Sequence, residues 1–293
     1  MSFEERVDVS VQRLVALLEL ERLDRDLYRA DVPGPFPTGR LFGGQVAAQA
    51  LRAAAYTLDV EHYAHSLHGY FLRPGSPATP VLLHVDRIRD GRSFTTRRVV
   101  AVQEGEAIFT LNVSFHRDEP DGEYATPLPA GVPAPESDTQ WYESPLSRFG
   151  FTGPFEVREM PPAPPDERGE IATTRRVWLR VRAEVGDDRV LHACLLTFVS
   201  DMGAVYAAAI PVLGAGVAPP NVMGASLDHA VWFHRPIRLD DWVLYDLRPI
   251  SNHGSRGLVY GSFHSRDGAL AASVAQEALI RSRRAEPKGG AST

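Results

Sequence analysis

The apolar positions of this 293-residue chain follow two spacings that recur in the same order twice. Val11, Leu14, Val15 and Leu18 repeat every three to four residues and predict a helix over residues 10–20, with Ser10 as its N-cap. A short strand is expected at 23–28, then a Pro/Gly loop at 32–39. Residues 42–58 open on Gly43-Gly44 and continue mostly in alanine, the strongest helix former. Alanine on most faces also lets neighbours approach closely, so this stretch predicts a central helix buried under a sheet. The period then switches to two. Residues 81–89, 93–102 and 107–116 predict three strands joined by hairpins at Asp90-Gly91 and Glu104-Gly105.

Residues 117–170 hold eleven of the 23 prolines and predict a connection that wraps over the surface. The second round begins with an alternating strand at 176–182 whose basic residues share a face. Asp187 and Asp188 are placed to cap a helix over 189–204. The apolar run 190–199 also suits a strand, and the repeat decides for helix. Pro211, Gly214 and Gly216 predict a loop, and strands are expected at 226–235, 242–249, 256–264 and 269–281. A constant offset of 162 carries Phe71 to Phe233, Arg73 to Arg235, Pro74 to Pro236, Ser93 to Ser255 and Ala107 to Ala269. That register predicts a duplication: one unit over 1–116, a connection over 117–170, a second unit over 171–284 and a disordered tail over 285–293. The fold class is α+β, each unit an antiparallel sheet wrapped around a central helix.

Composition narrows the function. A net charge of −6 argues against a general nucleic-acid binder. Lys288 is the only lysine, which leaves no candidate for a P-loop or a Schiff-base enzyme. Cys194 is the only cysteine and excludes an internal disulfide. The start lacks a basic region followed by an apolar run, and no run of eighteen apolar residues occurs. The expectation is a cytoplasmic protein with no membrane span.

Several stretches then carry a resemblance. Leu41-Phe-Gly-Gly-Gln-Val46, His65-Ser-Leu-His-Gly-Tyr-Phe-Leu-Arg-Pro-Gly75, Arg89-Asp-Gly-Arg-Ser-Phe94, Leu227-Asp-His-Ala-Val-Trp-Phe-His-Arg-Pro236 and Gln276-Glu-Ala278 resemble the type II acyl-CoA thioesterases, the TesB-like double-hotdog enzymes. The resemblance covers nearly everything outside the proline-rich connection and the tail. It implies a tandem hotdog fold, hydrolysis of fatty acyl-CoA to free fatty acid and CoA without a covalent intermediate, no cofactor, and a homo-oligomer (dimer or tetramer). It also implies that Asp201, Ser226 and Gln276 hold the attacking water. Family members carry Thr where this chain has Ser226; the hydroxyl survives without the stiffness of β-branching.

The residues bear on this independently. Asp201 follows the apolar run 195–200, where a carboxylate is costly unless partnered. Gln276 offers both donors and an acceptor in a strand of small residues. The constant offset puts Ser114 opposite Gln276, so a single site, in the second unit, is expected. The first-turn N–H groups of Gly43 and Gly44 are candidate oxyanion donors, because the helix dipole is positive there. Arg73, Arg89, Arg92, Arg235 and Arg256 are candidates for the CoA phosphates. His62, His65 and His68 alternate across a strand and do not form a metal site. Asp228 and His229 diverge by the same argument and read as structural. No Gly-x-Ser-x-Gly elbow occurs, and Cys194 reads as a core residue. Two other readings stay open: a hotdog enoyl-CoA hydratase or dehydratase, and a non-catalytic acyl-CoA binding module.

Overall fold

The structure, a computed structural model, describes residues 3–31, 39–120, 122–142, 153–161, 173–214 and 222–282. The tail 285–293 and the Pro/Gly loop 32–38 lie outside these residues. The elements run α1 (Phe3–Ala16), β1 (Glu21–Asp24), β2 (Leu27–Ala30), α2 (Gly43–Ala55), β3 (Tyr63–Phe71), β4 (Val81–Asp90), β5 (Phe94–Gln103), β6 (Glu106–His116) and β7 (Phe155–Glu159). They continue with β8 (Arg175–Val181), α3 (Arg189–Ser200), α4 (Ala204–Leu213), β9 (Val222–Ser226), β10 (Asp228–Phe233), β11 (Val243–His253), β12 (Arg256–Ser265) and β13 (Leu270–Ser282).

The strands join in one antiparallel sheet, ordered β1-β2-β4-β5-β6-β3-β10-β13-β12-β11-β8-β7, with β9 also on β13. β3 and β10 pair at its middle. His68 lies opposite Ala230, with Tyr70–Asp228 and Ser66–Trp232 symmetric about it. The offset of 162 joins His68 to Ala230, so this seam is a local twofold axis between two like halves. The relation reaches the outer strands: Val85 pairs with Val99, and Leu247 with Gly261.

The offset does not stay constant. Arg98 pairs with Asn112, whereas Tyr260 pairs with Ala275, so after the β12–β13 turn it becomes 163. Gln276 therefore corresponds to Val113, not to Ser114 as the constant offset implied.

Under the sheet, α2 and α3 lie antiparallel. Arg52 bonds Asp188 at one end (2.9 Å), and Phe42 meets Phe198 edge-on at the other (5.1 Å). An offset of 146 exchanges these two contacts, so the helices obey the same twofold. It is smaller than 162 because α4 is inserted between α3 and β9. The helices approach closely at Gly44, where a Cβ would stand 2.3 Å from the Phe198 carbonyl oxygen. Asp188 caps α3 as expected, accepting from the N–H groups of Val190 (2.9 Å) and Leu191 (3.2 Å). Ala47, Ala50, Leu51 and Ala54 of α2 and Leu195, Leu196 and Val199 of α3 are fully buried in one core with Leu67, Val99 and Val231 of the sheet. Each large aliphatic side chain withdrawn from water there contributes about 1.5–3 kcal/mol.

Several expectations are corrected. α1 starts at Phe3, because Val7 extends the apolar stripe one turn earlier. Ser10 is thus not its N-cap; its hydroxyl donates to the Val7 carbonyl (2.7 Å). The strand expected at 23–28 is a hairpin, β1–β2, turning through Asp26 at φ 58°. Pro211 lies inside α4 rather than in a loop. Its missing N–H takes away the one bond that residue 211 would donate back to the preceding turn, and the helix ends two residues later, at Leu213. Part of the proline-rich connection joins the sheet: β7 pairs with β8 and buries Phe155. The helical stretch Arg189–Leu213 is long and apolar enough to cross a membrane, but it is mostly buried inside the protein.

Candidate active site

Three elements bring Asp201, Ser226 and Gln276 together. Asp201 is the C-cap of α3, just before the chain turns into α4 through Gly203 at φ 78°. Gln276 points inward from β13 and is fully buried. Ser226 ends β9, and its orientation depends on a break in register. Ser226 pairs with Ala278 but Ala230 pairs with Ala275, so one extra residue sits at Leu227–Asp228. This β-bulge lets Ser226 and His229, an odd number of residues apart, both face the core. The same shift recurs at the equivalent place in the first half, between Ala64 and Ser66.

The polar atoms form a closed triangle. Ser226 Oγ donates to Asp201 Oδ1 (2.8 Å). Gln276 Nε2 donates to Asp201 Oδ1 and to Ser226 Oγ, each at 2.8 Å. Asp201 Oδ2 accepts the N–H of Gly44 (2.9 Å) at the positive end of α2. The Gly44 N–H, expected as an oxyanion donor, is thus held by the carboxylate. Gly43 is needed for space: a Cβ there would meet Asp201 Oδ2 and the Phe71 ring at 2.8 Å.

Behind the triangle runs a second tier. Gln276 Oε1 lies 2.6 Å from His229 Nδ1, and His229 Nε2 lies 2.7 Å from Ser200 Oγ. Burial pushes the His229 pKa down, against the pull of the Asp201 charge, so the ring is neutral. Gln276 spends both amide protons on Asp201 and Ser226, so its carbonyl faces His229. The ring's single proton therefore sits on Nδ1. Tyr245, whose pKa burial raises, stays protonated and donates to the Ser200 carbonyl (2.6 Å).

The twofold shows how one-sided this chemistry is. The counterparts of Asp201, Ser226, Gln276, His229, Ser200 and Tyr245 are Ala55, Ala64, Val113, Leu67, Ala54 and Leu83. Every polar member of the network is a hydrocarbon in the other half. A buried polar group costs stability unless partnered, and here each member of the network has a partner, on one half of the molecule only.

Comparison with known proteins follows the same line. Residues 32–116 match the family described as acyl-CoA thioesterase N-terminal domain, and residues 147–279 match acyl-CoA thioesterase. Mouse acyl-coenzyme A thioesterase 8 is 38% identical over 287 residues, covering 92% of this chain and 88% of its own. Acyl-CoA thioesterase 2 of Haemophilus influenzae is 33% identical over 282 residues, covering 92% and 98%. The chain belongs to the type II acyl-CoA thioesterases. The crystal structure of acyl-CoA thioesterase II TesB2 from Mycobacterium marinum matches this thioesterase with a TM-score of 0.77 at 37% identity, covering 94% and 98% of the two chains. A hot dog protein from Alicyclobacillus acidocaldarius matches at 0.77 with 19% identity over 92% and 98%, a likeness of fold alone. This chain is an acyl-CoA thioester hydrolase with a tandem hotdog fold.

The other expected site residues of this thioesterase separate. Arg73 lies just past the β3 end that carries Phe71; it bonds the Ala107 carbonyl (2.8 Å) and pairs with Glu106 (2.9 Å). Arg256 also lies at this end of the sheet, but on its outer face, paired with Glu277 (2.9 Å). Arg92 and Arg235 are not near the triangle. Arg92 is exposed in the β4–β5 turn, beside Phe94 stacked on His116 at the opposite end of the sheet. Arg235 follows β10 at that same far end and pairs with Glu123 (3.0 Å). Arg89 joins it by register, and its carbonyl accepts from Arg97 (3.1 Å).

His229, Ser200 and Tyr245 escaped the sequence reading. Asp228 and His229 do diverge: Asp228 Oδ1 accepts the Glu277 N–H (2.7 Å). Divergence, however, sends one of the two inward, and a histidine on the inner face of an apolar strand was the available signal. His62 and His65 are kept apart, bonded to Thr95 (3.1 Å) and Ser114 (2.8 Å). Burial holds the Cys194 thiol at a pKa of about 12, so it stays an inert core group.

Proposed function

We propose that this thioesterase hydrolyses fatty acyl-CoA to free fatty acid and CoA through a water held by Asp201, Ser226 and Gln276, with no cofactor and no acyl-enzyme. The observation that carries this reading is the triangle of polar atoms at 2.8 Å, drawn from α3, β9 and β13, on one half of the molecule only. An entering water takes the place of one mutual bond. It donates to the carboxylate and accepts from the Gln276 amide. As its oxygen attacks the thioester carbon, its proton passes to Asp201. The oxyanion falls to the N–H of Gly43 at the start of α2, where the dipole is favourable and which, unlike that of Gly44, is not bonded to Asp201. The C–S bond then breaks, and the CoA thiolate recovers the proton from Asp201. Placement supplies much of the catalysis, since a thioester is already a good electrophile.

Ser226 is a support rather than a nucleophile in this scheme, and the two roles separate by experiment. With thiol release from a range of acyl-CoAs as the readout, Asp201→Asn lowers kcat a hundredfold or more, the scale of a lost general base. Ser226→Ala lowers it roughly tenfold. An equal collapse in both variants, or an acyl-enzyme trapped by rapid quench, would overturn the direct-water route. Arg73 is the arginine best placed for the CoA phosphates: half exposed, and at the site's own end of β3. Arg73→Ala is expected to raise KM several-fold and leave kcat nearly unchanged.

A further inference from the structure

The twofold that relates the halves implies a second cleft, at the other end of the β3–β10 seam. Ser226 adjoins the Phe71 end of β3, and its counterpart Ala64 lies near the opposite end. Residues 64 and 72 are eight apart, roughly 26 Å at about 3.3 Å per residue. The cleft is present as a cavity of about 160 Å³. Its apolar walls are Leu51, Ala64, Phe115, Ala193, Val190 and Phe233, and His65, His116 and His234 line it as well. Phe233 occupies the place that Phe71 holds beside the triangle.

Its chemistry differs from the active site in two respects. The reactive groups are gone, replaced by Ala55, Ala64 and Val113. In place of Gly43 stands Arg189, at the start of α3. Arg189 lies over the Tyr63 ring, its Cζ 3.5 Å from the ring centre, and binds Asp118 (2.5 Å). Arg235, counterpart of Arg73, stands at the same mouth with Glu123 (3.0 Å). Both carboxylates are largely exposed, at 70% and 79%, so an arriving anion can exchange with them at little cost. An apolar floor under two arginines suits an amphiphile. A cavity near 150 Å³ takes an apolar group about the size of benzene, which fits a short acyl chain.

We propose that this second cleft binds a short acyl chain bearing an anionic head, either an acyl-CoA or its free acid, and does not hydrolyse it. The ligand class rests on the acyl-CoA reading of the active site. It follows that two ligands occupy one chain while a single one is turned over.

The test titrates the full wild-type chain with S-hexyl-CoA, a thioether that cannot be hydrolysed, and counts bound equivalents by calorimetry or equilibrium dialysis. Two equivalents are expected. Ala193→Phe, which fills the cavity from α3, removes one and leaves hexanoyl-CoA hydrolysis at the wild-type rate. Arg189→Ala keeps the wall and weakens the same equivalent about tenfold. Competition by free hexanoate for that equivalent alone assigns the acid as occupant, and no competition assigns the CoA ester. One equivalent that survives both substitutions overturns the proposal. Asp201→Asn is measured alongside: loss of hydrolysis tests the active-site reading, and the number of bound equivalents tests the cleft, so either can fail without the other.

Discussion

In the reaction proposed above, His229 acts through Gln276 alone. Its neutral ring offers one proton, at Nδ1, and that proton fixes which way the Gln276 amide points (2.6 Å). If the amide turned over, its carbonyl would face the Asp201 carboxylate and no donor would remain to hold water. His229→Ala should therefore lower kcat on the order of tenfold to a hundredfold, the scale of a misplaced catalytic group, with KM little changed. His229→Gln keeps a donor and should recover much of the loss. Equal losses of kcat in the two variants would show that the ring only fills space. The sequence made Asp201, Ser226 and Gln276 legible through family resemblance, but not their convergence. Ser226 and His229 share a face only because of the bulge at Leu227–Asp228, and period-two reasoning contains no bulge. Arg235 is the opposite case. It stands in a motif that looks like the Arg73 motif, and the twofold sends it to the other cleft.

Among the elements, the approach of α2 to α3 sets the geometry of the site. Gly44 lets the helices close, and its N–H then reaches Asp201 (2.9 Å). Gly44→Ala would press a methyl group to 2.3 Å from the Phe198 carbonyl oxygen, a backbone atom that cannot move without its helix. The expected cost is about 1–3 kcal/mol, as for an overpacked core, together with a lower kcat because Asp201 loses its backbone partner. Gly39, where an added methyl group would meet nothing within 4 Å, should accept alanine with no change in melting temperature. At the other end of the pair, Asp188 caps α3 and binds Arg52. Asp188→Ala should cost about 1 kcal/mol for the cap, seen as a melting shift of roughly 2–4 °C, with kcat unchanged because the triangle lies at the far end of the helix. The alanine run announced α2, and Asp-Gly and Glu-Gly announced the β4–β6 meander. α4 stayed hidden because Pro211, Gly214 and Gly216 together read as a loop, whereas the structure keeps Pro211 inside the last turn of the helix.

Over the whole molecule, four histidines with lowered pKa values make stability depend on pH in a particular window. His65, His229, His234 and His264 all have pKa values pushed below 6.5, in each case first by burial. The unfolded chain then binds more protons than the folded one as pH falls. Their contribution is complete above pH 6.5 and is lost as pH drops below it, most for the buried His229 and His264 and least for the exposed His234. The carboxylates act lower. Arg189 holds Asp118 below its usual value, and for Asp188 and Asp240 burial works the other way but is offset by Arg52 and Arg238. Those groups contribute stability that is lost only as pH falls through about 4. Urea midpoints should therefore fall between pH 7.5 and 5.5, before any carboxylate titrates. His229→Gln separates the histidines from the rest: it should begin less stable at pH 7.5 and lose less on the way to pH 5.5. Parallel pH curves for the two proteins would mean that His229 takes up its proton alike in the folded and unfolded chain, and the acid sensitivity would then belong to the other histidines.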